Sequence, residues 1–290
     1  MKIPVSVLIP TYNEELNLAD CLASISDWAG EIIVIDSFST DRTTEIAQSY
    51  GARVVSHVFH TPARQKNWAL DNLPIQNEWI LFLDADERVP PDLRDEIIAV
   101  VNQGACGFDG FWMRRRFMFY GKWIRHSGWY PVWLLRLVRR SKARWEDRAV
   151  DEHIILDGEA GYLNNDLIHE DMRDISFWIE KHNRYASQNA QIYYHLLQGE
   201  QSNGVSPTLF GSQTERKRFI KEHIWPYLPG RGLLFFLYLY IFRLGFLDGK
   251  HGFIFCMMHG IFQQFITVKL WELKHYKDGA AEGGIIIKKE

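Results

Sequence analysis

The sequence predicts an α/β fold with a mostly parallel, doubly wound sheet, followed by a region of hydrophobic and amphipathic helices. Short runs of large apolar residues alternate with segments of helical periodicity through the first third of the chain. Strands that are buried on both faces read as such continuous runs, and their alternation with helices is typical of right-handed crossovers in a parallel sheet. Two long apolar stretches, residues 233–247 and 252–268, lie in the last third of the chain.

The first two strands are predicted at residues 5–9 and 31–35. Between them, apolar side chains recur at helical spacing from Leu18 to Ile25, which predicts a helix that covers one face of the sheet. The second strand ends at Asp36. An acidic side chain therefore follows the strand directly, at its carboxyl end.

Polar residues at positions 37–41 supply N-cap groups for the next helix, and Gly51 stands where a C-terminal glycine cap is expected. A short third strand is predicted at residues 54–55. The most apolar strand is predicted at residues 79–83 and stops at the acidic sequence Asp-Ala-Asp-Glu of residues 84–87. Because ligands of open parallel sheets bind at the carboxyl ends of the strands, these acids stand where chemistry is expected.

Composition restricts the class of protein. The chain has 290 residues, of which 47% are hydrophobic and 24% are charged, so it can bury a full core. A formal net charge of -3 gives no general case for nucleic-acid binding. Three widely spaced cysteines without a CxxC pair argue against a disulfide framework and a cysteine zinc site. The N-terminus enters the first strand without a signal peptide, so we expect a protein that is not secreted.

The turn after the first strand argues against two common uses of such a sheet. A dinucleotide fold would carry a G-x-G-x-x-G motif here, and a nucleotidyltransferase would carry a glycine-rich phosphate loop. The turn instead reads Pro-Thr-Tyr-Asn-Glu at residues 10–14.

Three segments resemble the signatures of family-2 glycosyltransferases of the GT-A fold, in order and at familiar spacing. They are residues 10–14, residues 34–41 (Val-Ile-Asp-Ser-Phe-Ser-Thr-Asp) and residues 83–87 (Leu-Asp-Ala-Asp-Glu). Further segments are similar to the branch that contains bacterial lipopolysaccharide-core beta-1,4-glucosyltransferases, namely residues 129–131, 135–137, 245–249 and 269–273.

The resemblance implies a metal-dependent inverting hexosyltransferase. The implied donor is a UDP-sugar with glucose favoured, the implied cofactor is Mg²⁺ or Mn²⁺, and the implied acceptor is lipid-linked or part of a lipopolysaccharide core. The alternative within the enzyme class is a polyprenyl-phosphate sugar synthase. The alternative outside it is a nucleotide-sugar-binding scaffold without turnover. Nucleic acid is discounted as a partner because no recognised binding module surrounds the basic residues.

At the acidic strand end, the resemblance implies that Asp86 binds the metal and that Asp84 lies nearer the ribose and the metal. It also implies that His169 completes the metal shell, although a lone histidine is more often structural. A chain of this aspartate content contains about one Asp-x-Asp pair by chance, and a solvated acidic turn is the alternative. Glu87 is explained equally well as an exposed loop residue or as the partner of Arg88.

The nucleotide is expected at the ends of the first two strands. The resemblance implies that Tyr12 stacks on the base and that Asp36 accepts a hydrogen bond from the N–H of a uracil ring. The alternative for Asp36 is that it only caps the following helix. The predicted nucleotide-sugar contacts are Thr11, Tyr12, Glu14, Asp36, Lys66 and Asp84.

Inverting transfer needs a carboxylate that removes the proton of the acceptor hydroxyl. The candidates lie within residues 145–153. Glu152 matches the acid of a Val-His-Glu sequence in many relatives, and Asp151 is then a departure from that sequence. Asp147 would be the base if the general Glu-Asp pattern of the wider family applies. We expect Glu152 to be the base, ahead of Asp151 and Asp147.

Cationic and aromatic residues interleave between Trp112 and Leu137. Such a pattern could bind an anionic acceptor and stack on sugar rings, and an amphipathic surface is the alternative. The predicted acceptor contacts are Arg114, Arg116, Trp129 and Arg136.

The apolar stretches of the last third predict membrane association. Neither reaches the roughly 20 apolar residues of a bilayer span, and Arg243 would be costly at mid-membrane. We therefore expect two helices that lie in the interface, or a shallow re-entrant pair that turns at residues 248–252, with Arg231 among the basic residues at anionic headgroups. A homo-oligomer interface between the C-terminal helices is the alternative.

The predicted domains are a GT-A catalytic domain at residues 1–175, a helical membrane-associating region at residues 176–278 and a tail at residues 279–290. The predicted location is the cytoplasmic face of the bacterial inner membrane, as a peripheral or monotopic protein.

Overall fold

The computed structural model describes residues 2–146, 153–198, 225, 228 and 230–277. Its internal contacts divide the chain into two units, Met1–Met172 and Arg173–Glu290. The domains predicted from the sequence were defined by catalysis and membrane association, which a division by internal contacts does not test, so their limits stay a prediction.

The first unit contains the sheet, and the structure confirms the predicted α/β class. Strand order is β3-β2-β1-β4-β8-β6-β11-β5, with β7 paired to β6, and β9 and β10 form a separate two-stranded antiparallel sheet. The pairs β1/β2, β1/β4, β2/β3 and β6/β11 are parallel, whereas β8 is antiparallel to β4 and β6. The strands are β1 (Ile3–Thr11), β2 (Ala29–Asp36), β3 (Arg53–Ser56), β4 (Trp79–Phe82), β5 (Glu87–Arg88), β6 (Gly110–Phe119), β7 (Lys122–Trp123), β8 (Val132–Arg139), β9 (Ala143–Trp145), β10 (Ile154–Leu156) and β11 (Ala160–His169).

Helices cover both faces of this sheet. Alternate residues of β1 point to opposite faces, so Val5 and Val7 pack on one side and Leu8 on the other. The first side is closed by α1 and α4 and the second by α3. Gly51 ends α2 with a φ of 73°, which is the left-handed conformation expected of a glycine cap. The helices of this unit are α1 (Leu18–Ala23), α2 (Thr43–Ser49), α3 (Pro62–Asn72) and α4 (Pro91–Asn102).

The second unit is helical. Helix α5 packs on α7 through a cluster that includes Ala190 and Ile266. Helix α6 crosses α7 where Gly232 and Gly260 meet, and a Cβ atom on Gly260 would lie 2.8 Å from the Gly232 carbonyl oxygen. The glycines therefore allow a backbone approach that a larger residue would prevent. The helices are α5 (Ile175–Leu197), α6 (Arg231–Leu237) and α7 (Gly249–Glu272).

Helices α6 and α7 and the segment between them leave many large apolar side chains exposed. Leu233 of α6 is 63% exposed and Val268 of α7 54%, and Phe242 and Leu247, between the two helices, are 76% and 56% exposed. The helical segment Gly245–Tyr276 is long and apolar enough to cross a membrane by length and composition, although the core helix of a soluble protein passes the same test. The sequence predicts that neither apolar stretch is long enough for a span. The helical segment is longer than the apolar stretch because α7 continues through the polar residues at both of its ends.

The position of Arg231 differs from the one that the sequence predicts. It was predicted at anionic headgroups, but it is only 1% exposed at the start of α6. Its Nε donates to the Gln263 carbonyl oxygen at 3.2 Å. The long aliphatic stem of arginine can lie among apolar neighbours, which makes burial at this position sterically possible.

Candidate functional site

The acidic residues after β4 lie in a turn. The strand ends at Phe82, and the backbone N–H of Glu87 donates to the Asp84 carbonyl oxygen at 2.9 Å. Because the chain turns here, Asp84 and Asp86 are freed from the strict alternation of a strand. The turn stands at the carboxyl end of a central strand, where the sequence predicts it.

Asp84 is surrounded by cationic groups. The Arg136 guanidinium donates through Nη2 to Asp84 Oδ2 at 2.6 Å, and Lys66 Nζ lies 3.8 Å from Asp84 Oδ1. Burial opposes the ionisation of Asp84, but the attraction of Arg136 and Lys66 outweighs it and holds the pKa of Asp84 well below its usual range. Asp84 is therefore a fixed negative charge at this site.

Both roles that the sequence suggests for Glu87 are wrong. Glu87 is fully buried, so it is not an exposed loop residue, and its carboxylate does not pair with Arg88. Its Oε1 accepts from Arg136 Nη2 at 2.7 Å, and its Oε2 accepts from the backbone N–H of Asp84 at 3.0 Å. Arg88 instead pairs with Asp20 and Glu170. Burial raises the pKa of Glu87, and Asp84 adds to this against the attraction of Arg136.

Asp86 and His169 are brought together by a short strand pairing. Strand β5 runs antiparallel to the end of β11, and the backbone N–H of Glu170 donates to the Asp86 carbonyl oxygen at 2.9 Å. His169 Nδ1 then lies 3.4 Å from Asp86 Oδ1. The His169 ring stacks on Phe117 with 5.1 Å between ring centroids, which fixes its plane.

These two side chains fit a divalent cation. His169 Nδ1 is buried and has no hydrogen-bond partner among the described residues. In its unprotonated form this nitrogen therefore offers a lone pair to a metal ion next to the Asp86 carboxylate. In the described part of the chain, no group of three or more His, Cys, Asp and Glu side chains is close enough to hold a metal. Mg²⁺ and Mn²⁺ accept few protein ligands when substrate phosphates supply the others. The Asp84 oxygens face Arg136 and Lys66 instead.

The loops after β1 and β2 interlock. Asn13 has a φ of 54°, its backbone N–H donates to Ser39 Oγ, and its Oδ1 accepts from the backbone N–H of Thr40. The backbone N–H of Glu14 donates to Thr43 Oγ1 at 2.8 Å. The first two predicted signatures therefore form one structural unit.

The predicted base-binding residues divide by exposure. Tyr12 is 59% exposed, so its ring is available for stacking. Thr11 and Asp36 are buried, and Thr11 Oγ1 donates to Asp36 Oδ1 at 3.0 Å. Asp36 also accepts from the backbone N–H and the hydroxyl of Ser39. These bonds close a local turn and do not cap α2, which begins at Thr43 with Arg42 at its N-cap position. The capping alternative for Asp36 is therefore wrong, and the contact with a uracil ring stays a prediction.

Lys66 lies between the acidic turn and the end of β9, which directly precedes the candidates for the catalytic base in the sequence. Its Nζ lies 3.9 Å from the ring centroid of Trp145, at the end of β9. Asn67 exchanges two hydrogen bonds with the Trp145 backbone. Beyond it, the backbone N–H of Glu146 donates to the His153 carbonyl oxygen at 2.9 Å. The three predicted base candidates, Asp147, Asp151 and Glu152, lie outside the described residues.

The predicted acceptor residues fall into three places. Arg114 and Arg116 both pair with the buried carboxylate of Asp166, at 2.9 Å and 3.1 Å. They alternate along β6 with Phe117 and so lie on the face opposite to it. Trp129 lies on the side of Phe117 and His169, with its ring 5.1 Å from that of Phe117. The third place is that of Arg136, which is only 5% exposed and is bound by Asp84 and Glu87.

The sequence did not reveal the pairing of Glu87 with Arg136 or the stacking of Phe117 on His169. One signal was present, because Arg136 interrupts the apolar run of residues 132–138. A charged residue at such a position is seldom buried without a partner. The partner itself cannot be read from the sequence.

Comparison with known proteins shows the family to which this chain is similar. The family model for glycosyl transferase family 2 matches residues 6–166. The lipopolysaccharide core biosynthesis glycosyltransferase LpsC of Rhizobium meliloti is 31% identical over 196 residues, which cover 65% of this chain and 71% of that protein. An uncharacterised glycosyltransferase of Rickettsia bellii is 41% identical over 93 residues, which cover 32% of this chain and only 31% of that relative's own length.

Among solved structures, the mannosyltransferase PcManGT from Pyrobaculum calidifontis, in complex with GDP-Man and Mn²⁺, aligns with a TM-score of 0.51. The alignment covers 93% of this chain and 88% of that chain, at 16% identity. At this identity the likeness concerns the fold, and it agrees with the GT-A fold that the sequence predicts.

Proposed function

Because this chain belongs to glycosyltransferase family 2, we propose that it transfers a hexose, with glucose favoured, from a UDP-sugar to a lipid-linked or lipopolysaccharide-core acceptor with inversion. The observation that carries the proposal is the acidic turn at the end of β4, where Asp84 and Asp86 meet Lys66 and His169. Anionic and cationic groups at one sheet edge suit a ligand that carries both a diphosphate and ribose hydroxyls.

The donor would lie between the interlocked loops and this turn. Tyr12 offers an exposed ring for the base, and Lys66 offers a positive charge beside Asp84. Asp86 and His169 would hold the Mg²⁺ or Mn²⁺. A bound divalent cation supplies neutralisation of the charge that develops on the leaving diphosphate. The mannosyltransferase from Pyrobaculum calidifontis carries GDP-Man and Mn²⁺, so both UDP- and GDP-sugars belong in a donor test.

In the transfer, the acceptor hydroxyl oxygen forms a bond to the anomeric carbon as the bond from that carbon to the nucleoside diphosphate breaks. The hydroxyl proton passes to a carboxylate, for which we propose Glu152 ahead of Asp151 and Asp147. Support comes from the flanks of this segment, because Trp145 contacts Lys66 and Lys66 contacts Asp84. A general base must come within hydrogen-bonding reach of the reacting oxygen.

The acceptor would be bound by aromatic and cationic side chains. Trp129 is the residue of the predicted set that lies on the side of His169, through Phe117. Arg114 and Arg116 share one carboxylate, Asp166, so this group keeps a net positive charge that favours an anionic acceptor. The relative LpsC is named for lipopolysaccharide core biosynthesis, which supports the same acceptor class.

The second unit would hold the enzyme at the cytoplasmic face of a bacterial membrane. The exposed apolar side chains of α6 and α7 favour contact with lipid, since large exposed apolar patches mark interaction surfaces. A contact with a second copy of the chain is the alternative use of the same helices.

A second candidate function is a polyprenyl-phosphate sugar synthase, whose acceptor is the phosphate itself. One observation favours it. The undecaprenyl-phosphate 4-deoxy-4-formamido-L-arabinose transferase of Edwardsiella ictaluri is 32% identical over 111 residues, which cover 34% of each chain.

Mass-spectrometric product analysis tests the proposal. The purified protein is incubated in detergent with Mn²⁺, a panel of UDP- and GDP-sugars, and separate lipid and lipopolysaccharide-core extracts. We expect one hexose to be added to a sugar hydroxyl of the acceptor. Addition to a polyprenyl phosphate would support the second candidate, and nucleotide-sugar binding without any product would support the scaffold alternative.

Matched variants identify the residues. Glu152→Gln should keep donor binding and lose transfer by about 10²–10⁴-fold, the usual range for a general base. Asp86→Ala should lose Mn²⁺-dependent UDP binding in calorimetry while the far-ultraviolet spectrum is unchanged. Asp157→Asn alters a carboxylate that is 91% exposed in its side chain and serves as the control. Normal transfer by Glu152→Gln would move the base to Asp151 or Asp147.

A further inference from the structure

The acidic turn is closed by a ring of four contacts. The Arg136 guanidinium donates to the carboxylates of Asp84 and Glu87 at 2.6 Å and 2.7 Å. The Glu87 carboxylate in turn accepts from the backbone N–H of Asp84, and the backbone N–H of Glu87 donates to the Asp84 carbonyl oxygen. Both ends of the turn are thus tied to one guanidinium.

The strand register explains why Arg136 reaches this turn. Leu137 of β8 pairs with Leu81 of β4 in the antiparallel ladder. Arg136 is the next residue of β8 towards the end of β4, so its side chain starts close to the acidic turn. It is only 5% exposed, so its guanidinium is largely shielded from solvent.

Glu87 extends the ring to the other half of the site. It belongs to β5, where it is the register partner of His169 in β11. Holding Glu87 in place therefore also holds the short strand that sets Asp86 beside His169, at 3.4 Å between Oδ1 and Nδ1. A two-residue strand offers few hydrogen bonds of its own, so a side-chain anchor has a large share in its position.

We propose that Arg136 and Glu87 are positioning residues that lock the acidic turn and thereby set the geometry of Asp84, Asp86 and His169 for the nucleotide and its cation. This inference rests on the proposed function and replaces the acceptor contact predicted for Arg136. Neither residue needs to touch the substrate. Groups that orient the ligands of a cation commonly change its affinity by about 10–100-fold when they are removed.

Single substitutions of a buried ion pair leave the other charge unpaired and risk unfolding, so the main test uses a double variant. In Glu87→Gln/Arg136→Met, both charges are removed and the volumes are nearly kept. We expect a folded protein by circular dichroism whose Kd for UDP in the presence of Mn²⁺ is raised about 10–100-fold. Binding of Mn²⁺ to each variant is measured separately by electron paramagnetic resonance, which does not depend on turnover.

A second ion pair on the same strand supplies the matched control. Arg139 of β8 lies 3.3 Å from Asp109 and is further from the acidic turn. Asp109→Asn/Arg139→Met removes one pair of opposite charges in the same way, and its Kd for UDP should equal that of the unaltered protein. Arg136→Lys keeps the charge but not the guanidinium fork, and it should recover part of the affinity that the double variant loses.

The outcomes are distinct. A folded double variant whose Kd lies within about twofold of the unaltered value overturns the positioning role. If the double variant does not fold, Arg136→Lys decides, because an unchanged Kd in that folded variant also overturns the role. If the unaltered protein binds neither UDP nor GDP with Mn²⁺, the proposed function itself fails, and the positioning role fails with it.

Discussion

Among the residues that the structure describes, two arginines are buried, one in each unit, and their surroundings differ. Arg136 in the first unit contacts two carboxylates within 2.7 Å. Arg231 in the second unit donates to a backbone carbonyl oxygen and lies 5.4 Å from the ring centroid of Tyr193. Within the part of the chain that the structure describes, its two Nη atoms have no hydrogen-bond partner.

The difference separates two meanings of a buried charge. A guanidinium that neutralises carboxylates is part of a charged site, and removing it leaves those carboxylates buried without their counter-charge. A guanidinium without a carboxylate carries its desolvation cost alone, and the packing around it must offset that cost. Burial of an arginine is thus a sign of function only together with its partners.

The largest expected effect is on Arg136. Arg136→Met alone leaves Glu87, which is fully buried, without its counter-charge. We expect a loss of about 3–5 kcal/mol in the free energy of unfolding, the usual cost of breaking a buried ion pair on one side. Urea unfolding followed by circular dichroism measures it. A loss below about 1 kcal/mol, the level of an exposed ion pair, would remove the distinction between this arginine and a surface one.

The next largest effect is expected in the second unit, at the glycines where α6 and α7 cross. Gly260→Val would put a Cβ atom 2.8 Å from the Gly232 carbonyl oxygen and 3.0 Å from Phe236 Cβ. We expect α6 and α7 to separate, at a cost of about 1–3 kcal/mol for overpacking. Thermal unfolding in detergent measures the effect. Ile261→Val, at a neighbouring position that is 42% exposed, is the control and should be nearly silent.

Arg231→Met is expected to have a smaller effect, with the opposite sign. Because no carboxylate pairs with Arg231 among the described residues, its removal should leave the free energy of unfolding unchanged or raise it by about 1 kcal/mol. The midpoint of thermal unfolding should therefore stay equal or rise. A loss as large as that of Arg136→Met would mean that Arg231 has a counter-charge outside the described residues.

The smallest effect is on the pH dependence of stability. Burial raises the pKa of Asp84, but Arg136 and Lys66 outweigh it and hold that pKa below its usual range. A lowered pKa in the folded state stabilises the fold above the unfolded pKa of about 3.9, and this stabilisation is lost as the pH falls. The stability difference between the unaltered protein and Asp84→Asn should therefore be larger at neutral pH than at pH ~3.

Urea midpoints across this pH range measure the prediction for Asp84. Asp157→Asn, at an exposed carboxylate, should give a curve parallel to that of the unaltered protein. An Asp84→Asn curve that is also parallel would show that the contacts of Asp84 with Arg136 and Lys66 do not favour its charged form.

The fold could be predicted from the sequence because its signals are local. Residues 5–9, 31–35 and 79–83 are mostly apolar, and the second and third segments are followed directly by an aspartate. The strands β1, β2 and β4 contain nearly all of these residues. The position of the acids at a strand end follows from the same pattern. Local signals of this kind depend on neighbours in the chain and need no knowledge of tertiary contacts.

The rest of the site depends on contacts between distant residues. Arg136 and Glu87 are 49 positions apart, and their meeting depends on the register of β8 against β4. The pairing of His169 with Asp86 likewise depends on the two-residue strand β5. No periodicity in the sequence specifies a register between strands that far apart, so these pairings could not be predicted.

The interlocked loops after β1 and β2 restrict how this protein can be engineered. Asn13 donates a hydrogen bond to Ser39 and accepts one from Thr40, so each loop helps to hold the other in place. One loop could not then be replaced by itself with that of a homologue, because the graft would meet a partner loop shaped for a different neighbour. The transferable module is the pair of loops, and a chimaera should take both from the same parent.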